Sequence, residues 1–124
     1  MVESKEYKQR LIKFNNHNYM VDEGTREEQP TGACRESHQG KGSYHLISPV
    51  GLSRLAHWYE AGANKYGERN WENGLPTSNC LNSMFRHIVK YIDGQSDEDH
   101  LAAIAWNAFA IMHMEEKIPE MKDL

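Results

Sequence analysis

Three segments between residues 48 and 118 carry apolar side chains at helical spacing, and this pattern most constrains how the chain folds. In the first segment, Ser48 precedes Pro49 as an N-cap and first-turn pair, and Gly67 supplies a C-cap. The segment therefore predicts a helix whose apolar face consists of Leu52, Leu55, Tyr59 and Ala63.

Two further helices are predicted downstream by the same criteria. Ser78 is the expected N-cap of the second helix, which ends at Gly94. A capping box of Ser96 and Asp99 opens the third, and Pro119 closes it. The expected apolar faces are Leu81, Phe85, Ile88 and Ile92 on the second helix, and Leu101, Ile104, Ala108 and Ile111 on the third.

The N-terminal third of the chain lacks such a pattern over most of its length. Residues 3–14 permit a short helix, whereas residues 15–42 are polar and predict an arm or loop. We therefore expect an N-terminal arm over residues 1–40, partly irregular, a helical domain over residues 41–118 and a C-terminal tail over residues 119–124.

The predicted fold is all-α, a compact bundle of about three main helices that is completed by oligomerisation. Three helices in a chain of 124 residues make a thin core, so a second copy of the chain is the expected source of further apolar surface. The third helix also carries small side chains that allow a neighbouring helix to approach closely: Ala102, Ala103, Ala105, Ala108 and Ala110.

Composition excludes several classes of function. A net charge of −4 argues against a nucleic-acid partner. No apolar run approaches the length of a membrane span, and the first ten residues lack the core of a signal peptide, so we expect no membrane partner and a cytoplasmic location. Cys34 and Cys80 have no metal-binding spacing and are expected to be free thiols.

A polar and aromatic cluster directly follows the first predicted helix. Lys65 and Arg69 are candidates for contacts with phosphate oxygens, and Asn70 for a base edge. Tyr66 or Trp71 is suited to stacking on a base. Alternatively, the aromatic rings close the end of the bundle while Arg69 binds carbonyl groups of the helix end. Spacing alone does not separate these alternatives.

Polar residues also interrupt the second and third helices. Arg86 is a candidate phosphate ligand, whereas the neighbouring His87 lies where a buried, hydrogen-bonded histidine is common. His100 and Asn107 share one stripe of the third helix. An unsatisfied amide at Asn107 would cost about 1 to 3 kcal/mol, so it requires a partner, in the protein or in a ligand.

Carboxylates near these stripes are candidate metal ligands. The available ones are Glu60 on the first helix and Asp97, Glu98 and Asp99 at the start of the third, and such oxygen ligands suit magnesium or manganese better than zinc. The alternative for Asp97, Glu98 and Asp99 is a purely structural role at the start of a helix, where acidic residues are stabilising.

Four runs resemble one known family: K-G-S-Y-H-L-I-S-P from Lys41, Y-E-x-G-A-x-K-Y-G-x-R-N-W from Tyr59, R-H at Arg86, and D-E-D-H-L-A-A-x-A-W-N from Asp97. They are similar to the phage and bacterial dATP/dGTP diphosphohydrolase domain family. The resemblance implies hydrolysis of a purine deoxynucleoside triphosphate to the monophosphate and pyrophosphate, with magnesium as cofactor. It also places the chain in the host cell cytoplasm if a phage encodes it.

On this resemblance the candidate residues receive roles. The metal would lie on Glu60, Asp97 and Asp99, of which the first two are catalytic candidates. The nucleotide-binding candidates are Lys41, Lys65, Tyr66, Arg69, Asn70, Trp71, Arg86, His87, His100 and Asn107.

The chain lacks the helical E-E-x-x-E and E-x-x-D pair of the broader all-α pyrophosphohydrolases. A second hypothesis therefore stays open, in which a phage protein binds and sequesters a host nucleotide signal without hydrolysing it.

Overall fold

The computed structural model describes residues 8–23 and 40–124. The chain divides into two compact units, residues 1–45 and residues 46–124. The first contains a hairpin of β1 (Lys8–Phe14) and β2 (His17–Glu23). The second contains α1 (Pro49–Tyr66), α2 (Thr77–Ile92) and α3 (His100–Lys117), with short 3-10 helices at Asn70–Asn73 and Pro119–Met121; a further one, Tyr44–Leu46, lies at the boundary.

The predicted all-α class with three main helices is confirmed for the larger unit, but the prediction for the N-terminal arm is wrong in two places. Residues 8–14 form a strand instead of a helix, and residues 17–23 form its antiparallel partner instead of a loop. Asn15 and Asn16 join them with φ of 49° and 65°, as a two-residue hairpin turn requires. The remainder of the predicted arm, residues 1–7 and 24–39, lies outside the described residues.

Helix α1 has the caps that the sequence predicts. The Ser48 side chain accepts a hydrogen bond from the Gly51 backbone N–H at 3.1 Å. Gly67 ends the helix with φ of 95°, a left-handed value that favours glycine, and its N–H donates to the Ala63 carbonyl. The caps and the intervening apolar spacing therefore fix this helix locally.

Helix α2 begins differently from the prediction. Its N-cap is Pro76, which offers no side-chain acceptor, and Ser78 lies inside the first turn. The Ser78 N–H donates to Asp123 Oδ1 at 2.8 Å, and the Ser78 hydroxyl donates to the other oxygen of the same carboxylate. A residue near the end of the chain thus caps this helix, and the prediction of Ser78 as N-cap is wrong.

Helix α3 packs between the other two. Its N-cap is Asp99, whose side chain accepts from the Ala102 N–H at 3.1 Å. Helix α1 runs parallel to α3, since Arg54 meets Asp99 near their starts and Tyr59 meets Trp106 further along. Helix α2 runs antiparallel to α3, because His87 meets His100 and Ser83 meets Asn107. Among the described residues, no helix is long and apolar enough to cross a membrane.

The buried face of α2 differs from the predicted one. Phe85 and Ile92 are 65% and 79% exposed, whereas Cys80 and His87 are buried. On α3, the buried residues are His100, Ala102, Ala103, Asn107, Ala110 and Met114. Apolar spacing does not predict these buried faces, because the helices meet along small and polar side chains. The polar side chains form hydrogen bonds with each other across the contact.

Candidate functional site

Two buried histidines meet where α2 crosses the start of α3. His87 and His100 are 5% and 2% exposed, and their Nδ1 atoms lie 2.8 Å apart. Glu98, in the loop before α3, brings a carboxylate oxygen near both rings, since one potential ligand atom from each residue lies within 4.8 Å of the other two. We call His87, Glu98 and His100 the histidine cluster.

Asp97 determines how His100 presents its ring. His100 Nε2 lies 2.8 Å from Asp97 Oδ1, and a carboxylate can only accept a hydrogen bond, so Nε2 carries a proton. In the neutral ring, Nδ1 then carries a lone pair, and this lone pair faces His87. The loop before α3 therefore orients the buried ring toward α2.

Burial also affects His87. Its ring packs nearly perpendicular to the ring of Trp58 in α1, with ring centroids 5.8 Å apart. Burial lowers the pKa of His87, although the nearby Glu98 carboxylate opposes this effect in part. The neutral imidazole, with one nitrogen lone pair, is therefore the favoured form at neutral pH.

Asp99 is engaged in the structure of the helix ends. Its carboxylate accepts from Arg54 Nε at 2.8 Å and from Arg54 Nη2 at 2.6 Å, and also caps the Ala102 N–H. The Arg54 guanidinium is the main reason that the pKa of Asp99 lies below its usual value. Asp99 thus ties α1 to the beginning of α3.

The carboxylates predicted to hold magnesium do not form a ready site. Within residues 8–23 and 40–124, the histidine cluster is the one group of three or more potential ligands at such short separations, and Glu60, Asp97 and Asp99 are not in it. Asp97 and Asp99 already accept hydrogen bonds from His100 and Arg54. These carboxylates do not fit a preformed magnesium site, although the magnesium prediction itself stays untested.

The polar cluster after α1 lies largely in solvent. Tyr66 is exposed, and the Lys65 ammonium lies 5.1 Å from the centre of its ring. Arg69 has a left-handed backbone with φ of 55°, and its side chain is 74% exposed and paired with Glu72. Such a backbone is unfavourable for a residue other than glycine. The segment thus presents an aromatic ring and two cations on the surface.

Trp71 has a different environment from its neighbours. Its ring meets the ring of His113 at 4.8 Å and that of Tyr59 at 6.2 Å, both edge to face. The Asn70 carbonyl accepts a hydrogen bond from the Asn73 side chain at 3.0 Å. These contacts favour the structural alternative for Trp71, while Tyr66 is the ring available for stacking.

The predicted nucleotide ligands fall at two levels of the bundle. Arg86 adjoins His87, which meets α3 at His100, whereas the segment around Trp71 meets α3 at His113. These positions on α3 are about 20 Å apart along the helix axis. Lys41 belongs to the other compact unit of the chain. Within the larger unit, the candidate on α2 therefore lies at a different level from those that follow α1.

Asn107 has structural partners between these levels. Its side-chain nitrogen donates to the Ala103 carbonyl at 2.8 Å and to Ser83 Oγ at 3.3 Å. Ser83 is also contacted by the exposed Arg86 side chain at 3.5 Å. The Asn107 amide thus links α3 to α2 without a ligand.

The sequence patterns do not predict the histidine cluster as a unit. Glu98 is expected only as one of several carboxylates near the start of the third helix, suited to a metal or to the helix end, and no pattern indicates a role for Trp58. Two features of the sequence indicate the cluster, a histidine in the middle of the second helix and the D-E-D-H run before the third. The contact between His87 and His100, however, depends on the antiparallel pairing of α2 and α3. Such non-local pairings are not encoded in spacing along the chain.

The larger unit is therefore an all-α domain with a buried pair of histidines beside carboxylates at one end. The sequence matches the family described as "dATP/dGTP diphosphohydrolase, N-terminal" over residues 31–124, which include α1, α2 and α3. The chain belongs to this family. Comparison with curated proteins and with solved structures gave no match.

Proposed function

We propose that this chain binds a purine deoxynucleoside triphosphate and hydrolyses it to the monophosphate and pyrophosphate. The family match supports this most directly, because it covers all three long helices and the histidine cluster, and its name indicates a hydrolase. Hydrolysis adds water at the α-phosphorus and breaks its bond to the oxygen that bridges to the β-phosphorus. The oxygen of water ends on the monophosphate, and the bridging oxygen leaves with pyrophosphate.

The exposed cations and the exposed ring support nucleotide binding. Lys65 and Arg69 have the charge that a triphosphate requires, and the paired Glu72 carboxylate of Arg69 can be exchanged for phosphate oxygens. Arg86 lies at the other level of the bundle, so it would reach the same triphosphate only from a second copy of the chain. Tyr66 has an exposed face on which a base can stack. In the part of the chain that the structure describes, the Arg86 guanidinium makes a long hydrogen bond of 3.5 Å to Ser83 Oγ, which a ligand can replace.

Turnover requires a positioned water and neutralisation of charge at phosphorus. Glu60 and Asp97 are the carboxylates that we propose to orient this water and accept its proton. Magnesium or manganese would supply additional charge neutralisation when bound. Magnesium is commonly held by one or two carboxylates together with substrate phosphates, so a nucleotide complex does not require a preformed cage.

A second candidate is a protein that binds and sequesters a nucleotide without hydrolysing it. The separation of Glu60, Asp97 and Asp99 favours this alternative, since phosphates can be held by cations without carboxylates or metal. It differs from the first candidate in one measurable respect, the chemical state of the bound nucleotide.

We also propose that the functional unit is a homo-oligomer. Phe85, Val89 and Ile92 lie on successive turns of α2 and are all exposed. Within the described residues, Met114 is the one large side chain that is less than 2% exposed, so the core of a single chain is small. A second copy packed on this face of α2 would bury the exposed apolar stripe.

The decisive experiment incubates the pure protein with purine nucleoside and deoxynucleoside triphosphates, with and without magnesium or manganese. Pyrophosphate release and retained nucleotide are measured separately. We expect multiple turnovers with dATP or dGTP, and loss of turnover in Glu60→Gln and Asp97→Asn and after addition of EDTA. Glu68→Gln, which changes an exposed glutamate in the loop after α1, is the matched control.

Two results would contradict the enzymatic proposal. Release of intact nucleotide on heat denaturation, with no turnover in either metal, would establish the sequestering alternative. Absence of both turnover and retained nucleotide would refute nucleotide binding as well.

A further inference from the structure

We infer that the histidine cluster is a site for a divalent transition-metal ion, bound by His87, Glu98 and His100 and oriented by Asp97. This inference does not depend on the proposed hydrolysis, because it concerns the ligand atoms alone. It also differs from the magnesium prediction in its residues and in the kind of metal.

The donor atoms determine the class of ion. Two imidazole nitrogens and one carboxylate oxygen suit zinc, iron, cobalt or nickel, whereas magnesium and manganese prefer oxygen ligands. Two histidines with one glutamate are a known set for zinc, in which three protein ligands leave a position for water or substrate. The cluster therefore has both the number and the types of ligand of such a site.

The geometry needs little adjustment to accept an ion. Nitrogens bound to zinc lie about 2.1 Å from it, so two of them are roughly 3.0 to 3.4 Å apart at bond angles between 90° and 109°. The two Nδ1 atoms are 2.8 Å apart. A separation of the rings by a few tenths of an ångström would suffice, and exposed Glu98 can approach from the solvent side.

Asp97 provides an independent observation in favour of a metal. A histidine that binds metal through one nitrogen commonly donates its other N–H to a carboxylate, which fixes the ring and strengthens the ligand. His100 has this arrangement, with Nε2 bonded to Asp97 and Nδ1 directed at His87. Two buried rings that face each other through the same atom type need either a shared proton or a shared ion.

A metal ion bound at the histidine cluster would link three parts of the fold. His87 is in α2, His100 is the first residue of α3, and Glu98 is in the connecting loop. An ion bound by all three would join the two helices and the loop, and it would bind the folded chain in preference to the unfolded one. Binding should therefore raise the unfolding temperature.

The test uses the full chain without an affinity tag, freed of metal by a chelator and then titrated with Co2+ or Zn2+. We expect the histidine cluster to bind one ion per chain and the unfolding temperature to rise. The visible absorption spectrum of bound Co2+ should be that of an ion with nitrogen ligands. Glu98→Gln should weaken binding at least tenfold, and Asp97→Asn by about 10 to 100 fold. Glu68→Gln, at the other end of α1, should bind as wild type.

A nitrogen-15 NMR spectrum of the histidine rings separates this site from histidines elsewhere in the chain. Zn2+ should shift Nδ1 of His87 and His100, while Nε2 of His100 keeps its proton. Binding that is unchanged in both Glu98→Gln and Asp97→Asn would overturn the inference, as would the absence of saturable binding by the folded protein. Both variants change exposed residues, so the result does not depend on a variant that disturbs the buried pair.

Discussion

Replacement of Asn107 by alanine tests whether this buried amide is structural. Its side-chain nitrogen donates at 2.8 Å to the Ala103 carbonyl and at 3.3 Å to Ser83 Oγ. A neutral hydrogen bond contributes about 0.5 to 1.5 kcal/mol net, so loss of two gives about 1 to 3 kcal/mol. We expect a value near the middle of this range, because the Ala103 carbonyl also lies within the hydrogen-bonded helix and is not left without a donor.

Urea unfolding followed by circular dichroism measures this loss. All variants must be compared at one protein concentration, since the unfolding free energy of an oligomer depends on it. Ser83→Ala removes the longer of the two bonds and serves as the partner in a double-mutant cycle with Asn107→Ala. We expect a coupling free energy of about 0.5 to 1 kcal/mol, with an unchanged denaturant slope.

The opposite pattern would refute this reasoning. If Asn107→Ala unfolds within about 0.3 kcal/mol of wild type but loses nucleotide affinity, the amide serves a ligand and its contacts to α2 are incidental. If the Asn107→Ala variant loses stability and keeps its nucleotide affinity, Asn107 is not a nucleotide ligand and its role is structural.

Three further predictions concern other parts of the domain. Hydrogen bonds from Ser78 lower the pKa of Asp123. The charged carboxylate therefore stabilises the fold at pH values above the usual carboxyl pKa, and this contribution is lost as pH falls through the lower pKa of the folded state. In urea titrations between neutral and acid pH, Asp123→Asn should be less stable than wild type at neutral pH and should approach it in acid; a constant difference would contradict this. Val89→Lys should convert an oligomer to monomers in light scattering, and a wild-type chain that is already a folded monomer would refute the proposed assembly. Arg69→Ala and Arg86→Ala should each weaken triphosphate binding by roughly 1.5 to 3 kcal/mol, the contribution of a charged hydrogen bond, with little loss of stability. Wild-type affinity in both variants would exclude these arginines as triphosphate ligands.

The helices could be predicted where their signals are local. Ser48 and Gly67 cap α1 as expected because each acts within four residues of its partner. The capping box of Ser96 and Asp99 is wrong in its position, because Asp99 itself is the N-cap and α3 begins at His100, three residues later than a cap at Ser96 implies. The start of α2 could not be predicted, because its acceptor, Asp123, comes from 45 residues further along the chain.

The faces of the helices were harder to predict than their existence. Phe85 and Ile92 have the spacing of a core stripe, but they are exposed, while His87 on the same helix is buried. Burial of His87 agrees with the expectation for its position in mid-helix, whereas its pairing with His100 depends on the antiparallel contact of α2 and α3. The hairpin could not be predicted from helical periodicity, because its strands have only seven residues each and its turn depends on the positive φ of Asn15 and Asn16.

The buried polar residues of the bundle fall into two kinds, and the difference indicates where function lies. The Asn107 amide donates both its hydrogens to groups of α2 and α3, so its contacts serve packing. The rings of His87 and His100 also hydrogen-bond to each other, but they do so beside the Asp97 and Glu98 carboxylates, which add potential ligand atoms that packing does not require. Sequences depart from apolar packing in this way mainly where a site requires it. The start of α3 is therefore the part of the domain in which a change of side chain should affect ligand chemistry more than folding, whereas the Asn107 level should show the reverse.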